Sequence, residues 1–240
     1  MRIDSSSESF FYLINEATKI SLLVNPIAGD EVLASALGLK LLLEREDKKV
    51  AIVYPAAIPT ALATLPGAEE VEREMMPRAL RLKFRVGTEA VQKVGYYIKD
   101  NVFNLIVTPR QGFLEAKELS VSYQSPECDL LILLGYSSWQ SLEDSLVGSG
   151  YSLDFASLPV VNIDNKIENE RFGQVNVVDE AARGISEIIF SSISSWGLKP
   201  TYRAAECLLF GLGLLEPPQP SLLKEDLVAA IPGDNYSRSS

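Results

Sequence analysis

The 240-residue chain contains no histidine. That single absence removes the commonest neutral-pH general base and the commonest transition-metal ligand. Ser-His, Cys-His and His-metal mechanisms are excluded by composition, so carboxylates, Lys, Cys or Tyr must carry any chemistry. Cysteine is scarce as well. Only Cys128 and Cys207 occur, both in apolar stretches. Their spacing does not suggest a zinc site, and buried thiols in a reducing compartment are expected. No apolar run reaches the length of a membrane span. The N-terminal "MRIDSSSESFFYLINEATK" lacks the basic start and long apolar centre of a signal peptide, so a cytoplasmic protein without a membrane partner is expected. Basic side chains are in the minority, 22 against 32 acidic, for a net charge of −10. That balance argues against a surface built as a whole for nucleic acid or anionic lipid.

What the chain has is hydrophobic content, 47% of its residues, enough for one large domain or one domain with an elaboration. Residues 7–17 read as a short amphipathic helix with Ser7 as N-cap. "KISLLVN" (19–25) reads as a buried strand, "NPIAGD" as a turn, and 31–46 as a helix that Asp30 can cap. A second strand follows at 49–55, which completes a strand–helix–strand unit of the kind that builds parallel sheets. Residues 55–77 form a connector with a helical turn or two.

The pattern changes at "RALRLKFRV" (78–86), which alternates strictly between apolar residues and Arg81, Lys83 and Arg85, the mark of a half-exposed antiparallel strand. Weaker strands at 93–99, 102–108 and 118–124 extend this into a β meander. Strands "CDLLILLG" (128–135), "PVVNID" (159–164) and "QVNVVD" (174–179) then restore the α/β rhythm, with helices at 138–147, in "ARGISEIIFSSISSWG" and in "TYRAAECLLFGLGLL". The expected fold is α/β: a three-layer, doubly wound, mainly parallel sheet. Residues 1–77 and 125–216 would form it, 78–124 would be the inserted meander, and 217–240 a last helix and tail.

In open α/β sheets ligands bind beyond the carboxyl ends of the strands. Those ends carry Asn25–Asp30, Tyr54–Pro55, Gly135–Ser138 and Asp164–Lys166, and the "NPIAGD" turn is expected to converge with "DNK". The stretch "VVNIDNKIENERFGQVNVVDEAARGISEII" resembles the third motif of the DHH phosphoesterase family through Asn162, Asp164, Asn169, Phe172, Gly173, Asn176, Asp179 and Glu187. "VNPIAGDEVLASALGL" resembles the first motif through Asn25, Pro26, Asp30 and Ser35, and "AAECLLFGL" a later helix. The resemblance covers roughly residues 19–54 and 126–215. It implies a phosphodiester-cleaving scaffold that holds two manganese ions with His and Asp side chains.

The departures from that pattern fall on the chemistry. Leu23 stands for the first-motif His, Ile27 for its first Asp, and Gly135 for the Asp ending a central strand. Asn165 and Lys166 replace the two histidines, and Leu215 the last Asp. A lysine ammonium at a metal position would repel divalent ions. The family's second, Gly-rich domain has no expected counterpart in these 240 residues.

Asn25, Asp30, Gly135, Asp164, Asn165, Lys166 and Arg183 are therefore expected to line a degenerate pocket. Asp164 is expected to pair with Lys166 or cap a turn. Lys166 and Arg171 are candidate anion contacts. The expected function is binding or scaffolding without catalysis, directed at a protein partner or a phosphorylated small ligand. The alternative is a Mn- or Mg-dependent phosphoesterase for short oligonucleotides, cyclic dinucleotides or related esters, with Asp30 and Asp164 as its metal ligands. Separately, Asp30, Glu31 and Asp164 could build an oxygen-only Mg²⁺ or Ca²⁺ site. A third reading takes the Arg81, Lys83 and Arg85 face as a nucleic-acid contact. Edge protection explains the same charges. Tyr96, Tyr97 and Phe103 read as core residues of their strands.

Overall fold

A computed structural model describes residues 5–73, 80–83, 91–111, 120–123, 128–146 and 158–214. Two compact units emerge, Met1–Met76 with Ser125–Ser240, and Pro77–Gln124.

The larger unit is built on a five-stranded parallel sheet. Its strands are β1 (Lys19–Val24), β2 (Lys49–Val53), β7 (Leu130–Leu134), β8 (Val160–Asp164) and β9 (Val175–Val178), in the order β2-β1-β7-β8-β9. Strands β7 and β8 are buried at every position, which is why they read as unbroken apolar runs rather than alternations. Alternate residues nonetheless serve different layers. Ile20, Leu22, Ile132, Leu134 and Val161 pack with helices α1 (Ser5–Glu16), α2 (Asp30–Glu44), α4 (Ile185–Ser192) and α5 (Tyr202–Gly211). Leu23, Leu131, Leu133 and Val160 pack on the other face with Leu142 and Leu146 of α3 (Trp139–Leu146). Helices on both faces of a mainly parallel sheet make the three-layer α/β architecture.

Two helix starts differ from expectation. Helix α1 begins at Ser5, so Ser7 lies inside its first turn rather than at its cap. Asp30 is likewise the first helical residue of α2, and Gly29, with φ of 110°, occupies the cap position. Only a residue tolerant of positive φ turns the chain that sharply. Thr201 does cap α5, its side chain accepting the Ala204 N–H at 3.1 Å. Helices α2 and α5 meet where Gly38 leaves room for Leu208.

Among the described residues the strands of the smaller unit pair two by two rather than as the expected meander. Strand β3 (Leu80–Lys83) pairs antiparallel with β6 (Ser120–Tyr123), while β4 (Val91–Lys99) and β5 (Val102–Pro109) form a hairpin between them in sequence. Asp100 and Asn101 link that hairpin with φ of 51° and 63°, as a two-residue type I′ turn requires. Period-two patterning gave each strand its faces but not its partner. Tyr96 and Phe103 are not core: they are 72% and 60% exposed. Arg85, Leu215 and the 217–240 tail lie outside the described residues, as do the side chains of Arg81 and Lys83.

Candidate functional site

The chain leaves β1 for β2 on one side and takes up β7, β8 and β9 on the other, so β1 and β7 form the topological switch point where a crevice is expected. Here the two strand ends are tied together. The Asn25 N–H donates to the Leu134 carbonyl at 3.0 Å and the Asn25 amide to the Gly135 carbonyl at 2.8 Å. The Asn25 side-chain oxygen also accepts the Ile27 N–H, forming an Asx turn. Gly135 has φ of 76°, and a Cβ placed there would lie 2.8 Å from the Ala28 Cβ. The "NPIAGD" turn therefore rests directly on the end of β7.

Asp164 closes β8 and is 1% exposed. It does not pair with Lys166, which points to solvent. One carboxylate oxygen accepts the Asn165 N–H at 2.9 Å and the other the Asn169 amide at 2.8 Å. Both partners are local and neutral, so they satisfy the buried charge without a lysine having to leave water.

Asn169 is the hub of this edge. Its amide also donates to the Tyr136 carbonyl at 3.0 Å, and its oxygen accepts the Arg171 N–H at 2.8 Å. Asn162, fully buried in β8, reaches that oxygen at 3.4 Å, and its own side-chain oxygen has no partner among the described residues. The Asn165 amide donates to the Ala182 carbonyl, drawing in the loop after β9.

The remaining candidates disperse. Arg171 is exposed, with φ of 52°. Arg183 folds back on Glu187, donating from its backbone and guanidinium at 2.8 and 3.1 Å, and these contacts hold the Glu187 carboxyl below its ordinary range. Asp30 is exposed; its charge, after burial, raises Tyr54 at the end of β2. Glu31, named with Asp30 and Asp164 as an oxygen donor, turns the other way. Its carboxylate accepts the Ser186 N–H at 2.6 Å and the Ser35 hydroxyl at 2.8 Å, while the Ser35 and Ser186 hydroxyls sit 2.7 Å apart. Glu31 thus moors the N-terminus of α4 from a different helix, where a carboxylate is favoured.

Among the described residues no three of His, Cys, Asp and Glu gather where they could share an ion. Two manganese ions do not fit the donors among the described residues: of the two expected ligands, Asp164 is 1% exposed and hydrogen-bonded at each oxygen, and Asp30, the first residue of α2, gathers no third such group with it. The thiols offer no nucleophile. Burial pushes Cys207 up to about 12 and raises Cys128. Burial also raises Tyr136, whose hydroxyl meets Ser145 at 3.1 Å.

Sequence reasoning flagged Asn169 as a motif position but missed its role as hub. It also missed Lys40, a lysine 3% exposed that bonds Glu44 and, at 2.7 Å, Glu70. The signal for Lys40 was the helical spacing to Glu44; nothing local pointed to Glu70.

No protein-family model matches this chain, and no curated protein does. The three-layer α/β architecture is nevertheless one that a solved structure shares. An exopolyphosphatase-related protein from Bacteroides fragilis shares it, with a TM-score of 0.53 and 17% identity over 87% of this chain. The match spans 50% of that protein's own length. At this identity the likeness is one of fold.

Proposed function

We propose that this chain is a catalytically inactive protein on a phosphoesterase-like scaffold, working by binding or scaffolding a protein partner or a phosphorylated small ligand. The observation that carries the reading is the state of Asp164. A metal ligand at a strand end must be open to the crevice, yet Asp164 is 1% exposed and each of its oxygens already accepts a hydrogen bond from Asn165 or Asn169. The Asn25 bonds across the switch point support the same conclusion. Polar residues at this edge hold loops together rather than converge on a reacting atom.

Calorimetric titration of metal-stripped protein with Mn²⁺ near neutral pH tests the proposal. No saturable heat is expected. Saturable binding of one or two ions per chain, with Mn-dependent hydrolysis of a short oligonucleotide that Asp164→Ala abolishes, would overturn it.

A further inference from the structure

Between Val94 and Val107 the β4–β5 hairpin has a face whose paired side chains are hydrocarbon apart from the Tyr96 hydroxyl. In an antiparallel pair, residues directly opposite each other project to the same side. The pairs Val94–Val107, Tyr96–Leu105 and Ile98–Phe103 alternate with Lys93–Thr108, Gly95–Ile106, Tyr97–Asn104 and Lys99–Val102. The first set is apolar but for the Tyr96 hydroxyl at its tip; the second is mixed and holds both lysines. The apolar face is ordered as a surface, with Tyr96 and Phe103 stacked diagonally at 5.5 Å and 24°. It is also open to solvent: Val94, Tyr96, Ile98, Phe103 and Leu105 are 40% to 72% exposed.

An isolated two-stranded hairpin is marginal in water and gains stability from a layer against its apolar face. We infer that this layer is the same face of a second copy of the chain, giving a twofold β-sandwich of two hairpins. Three observations favour a copy over another occupant. The face is self-complementary in the sense a twofold contact demands, since it is apolar but for that hydroxyl and brings no like charges together at its centre. Lys93 and Lys99 point away from it, so the hairpin's charge stays in water. The area also suffices: with about 200 Å² for a full aromatic side chain, the exposed members leave on the order of 600 Å² per copy. Two copies bury about 1,200 Å², the lower end of stable interfaces.

Sedimentation equilibrium of the full chain, from about 1 to 100 µM, reads the result. A monomer–dimer equilibrium is expected for the wild type and for Tyr97→Asp on the mixed face. Tyr96→Asp with Phe103→Asp should weaken the dimer about 30-fold or more, as loss of central aromatic anchors does. A covalent readout guards against misfolding of that variant. With Cys128→Ala and Cys207→Ala in place, diamide should link Ile98→Cys chains into dimers and leave Tyr97→Cys chains monomeric. A wild type monomeric throughout overturns the proposal, as does a dimer indifferent to the double substitution. A monomer that instead binds phosphatidylserine vesicles or single-stranded DNA through Tyr96 and Phe103 also overturns it, and assigns the face to that partner.

Discussion

Replacing Asn169 with alanine tests the edge of the sheet directly. The substitution deletes the amide that donates to Asp164 at 2.8 Å and to the Tyr136 carbonyl at 3.0 Å. A hydrogen bond to a charged group contributes about 1.5–3 kcal/mol, and an unpaired buried acceptor costs about 1–3 kcal/mol. Asp164 is too buried for water to replace the amide freely, so the sum falls at about 3–5 kcal/mol of lost stability. Asp164→Asn should cost about 2–3 kcal/mol through the same network, because an amide offers only one acceptor where two donors point and turns its own NH₂ against that of Asn169. Urea unfolding followed by the fluorescence of Trp139, which packs edge-on to Phe172 at 5.8 Å, and of buried Trp196 reads both effects. The midpoint should fall with an unchanged slope. If either variant is as stable as the wild type to within about 1 kcal/mol, or more stable, Asp164 is not held as argued. A gain in stability is the signature of a residue kept for function at the expense of the fold.

Two further outcomes follow from the packing. Gly38→Ala improves helix propensity by about 1 kcal/mol, but its Cβ would lie 2.7 Å from Leu208 and 3.3 Å from the Ala204 carbonyl. Overpacking of about 1–3 kcal/mol should win and lower the melting temperature; a raised one would mean that α5 moves freely against α2. Lys40→Met should stay within about 1 kcal/mol of the wild type at neutral pH, since its apolar chain keeps the packing and the carboxylates left unpaired, Glu44 and Glu70, are exposed enough for water to solvate them. A loss above about 3 kcal/mol would refute this.

The same variant should flatten the pH dependence of stability at both ends. The Lys40 hydrogen bond, then its charge, holds the Glu70 carboxyl below its ordinary 4.5, so wild-type stability from this group is present above that value and lost as pH falls through the lowered one. Burial works against the Lys40 charge, but hydrogen bonds and charge from Glu44 and Glu70 outweigh it and leave Lys40 above 10.5. That contribution is present below 10.5 and lost as pH rises through the raised value. Urea titrations at acid and alkaline pH would show both slopes reduced, with the acid-side contributions of Glu187 and Asp129 remaining.

The parallel sheet was legible because β7 and β8 are continuous apolar runs and β1–α2–β2 is a local unit. Strand pairing in the smaller unit was not, because β3 meets β6 across about forty residues and period two names a face without naming its partner. Tyr96 and Phe103 read as core for a related reason: an alternating apolar face looks the same in sequence whatever covers it. At the candidate site, the residue types at Asn162, Asp164 and Asn169 were visible as a pattern. Their use was not, since the Asn169 hub depends on Tyr136 lying 33 positions earlier, and the mooring of α4 by Glu31 spans 155 positions. Contacts of that range are decided by topology, which short-range spacing does not encode.

Gly135 has a consequence for which residues this edge can accept. Its φ of 76° is one that side-chain-bearing residues seldom adopt, and Ala28 stands 2.8 Å from where a Cβ would go. An aspartate cannot enter that position until the turn resting on it has moved, and that turn is itself latched by Asn25. Substitutions at Gly135 and in the 25–28 turn are therefore coupled: a larger residue is accepted at one place only if the other changes with it.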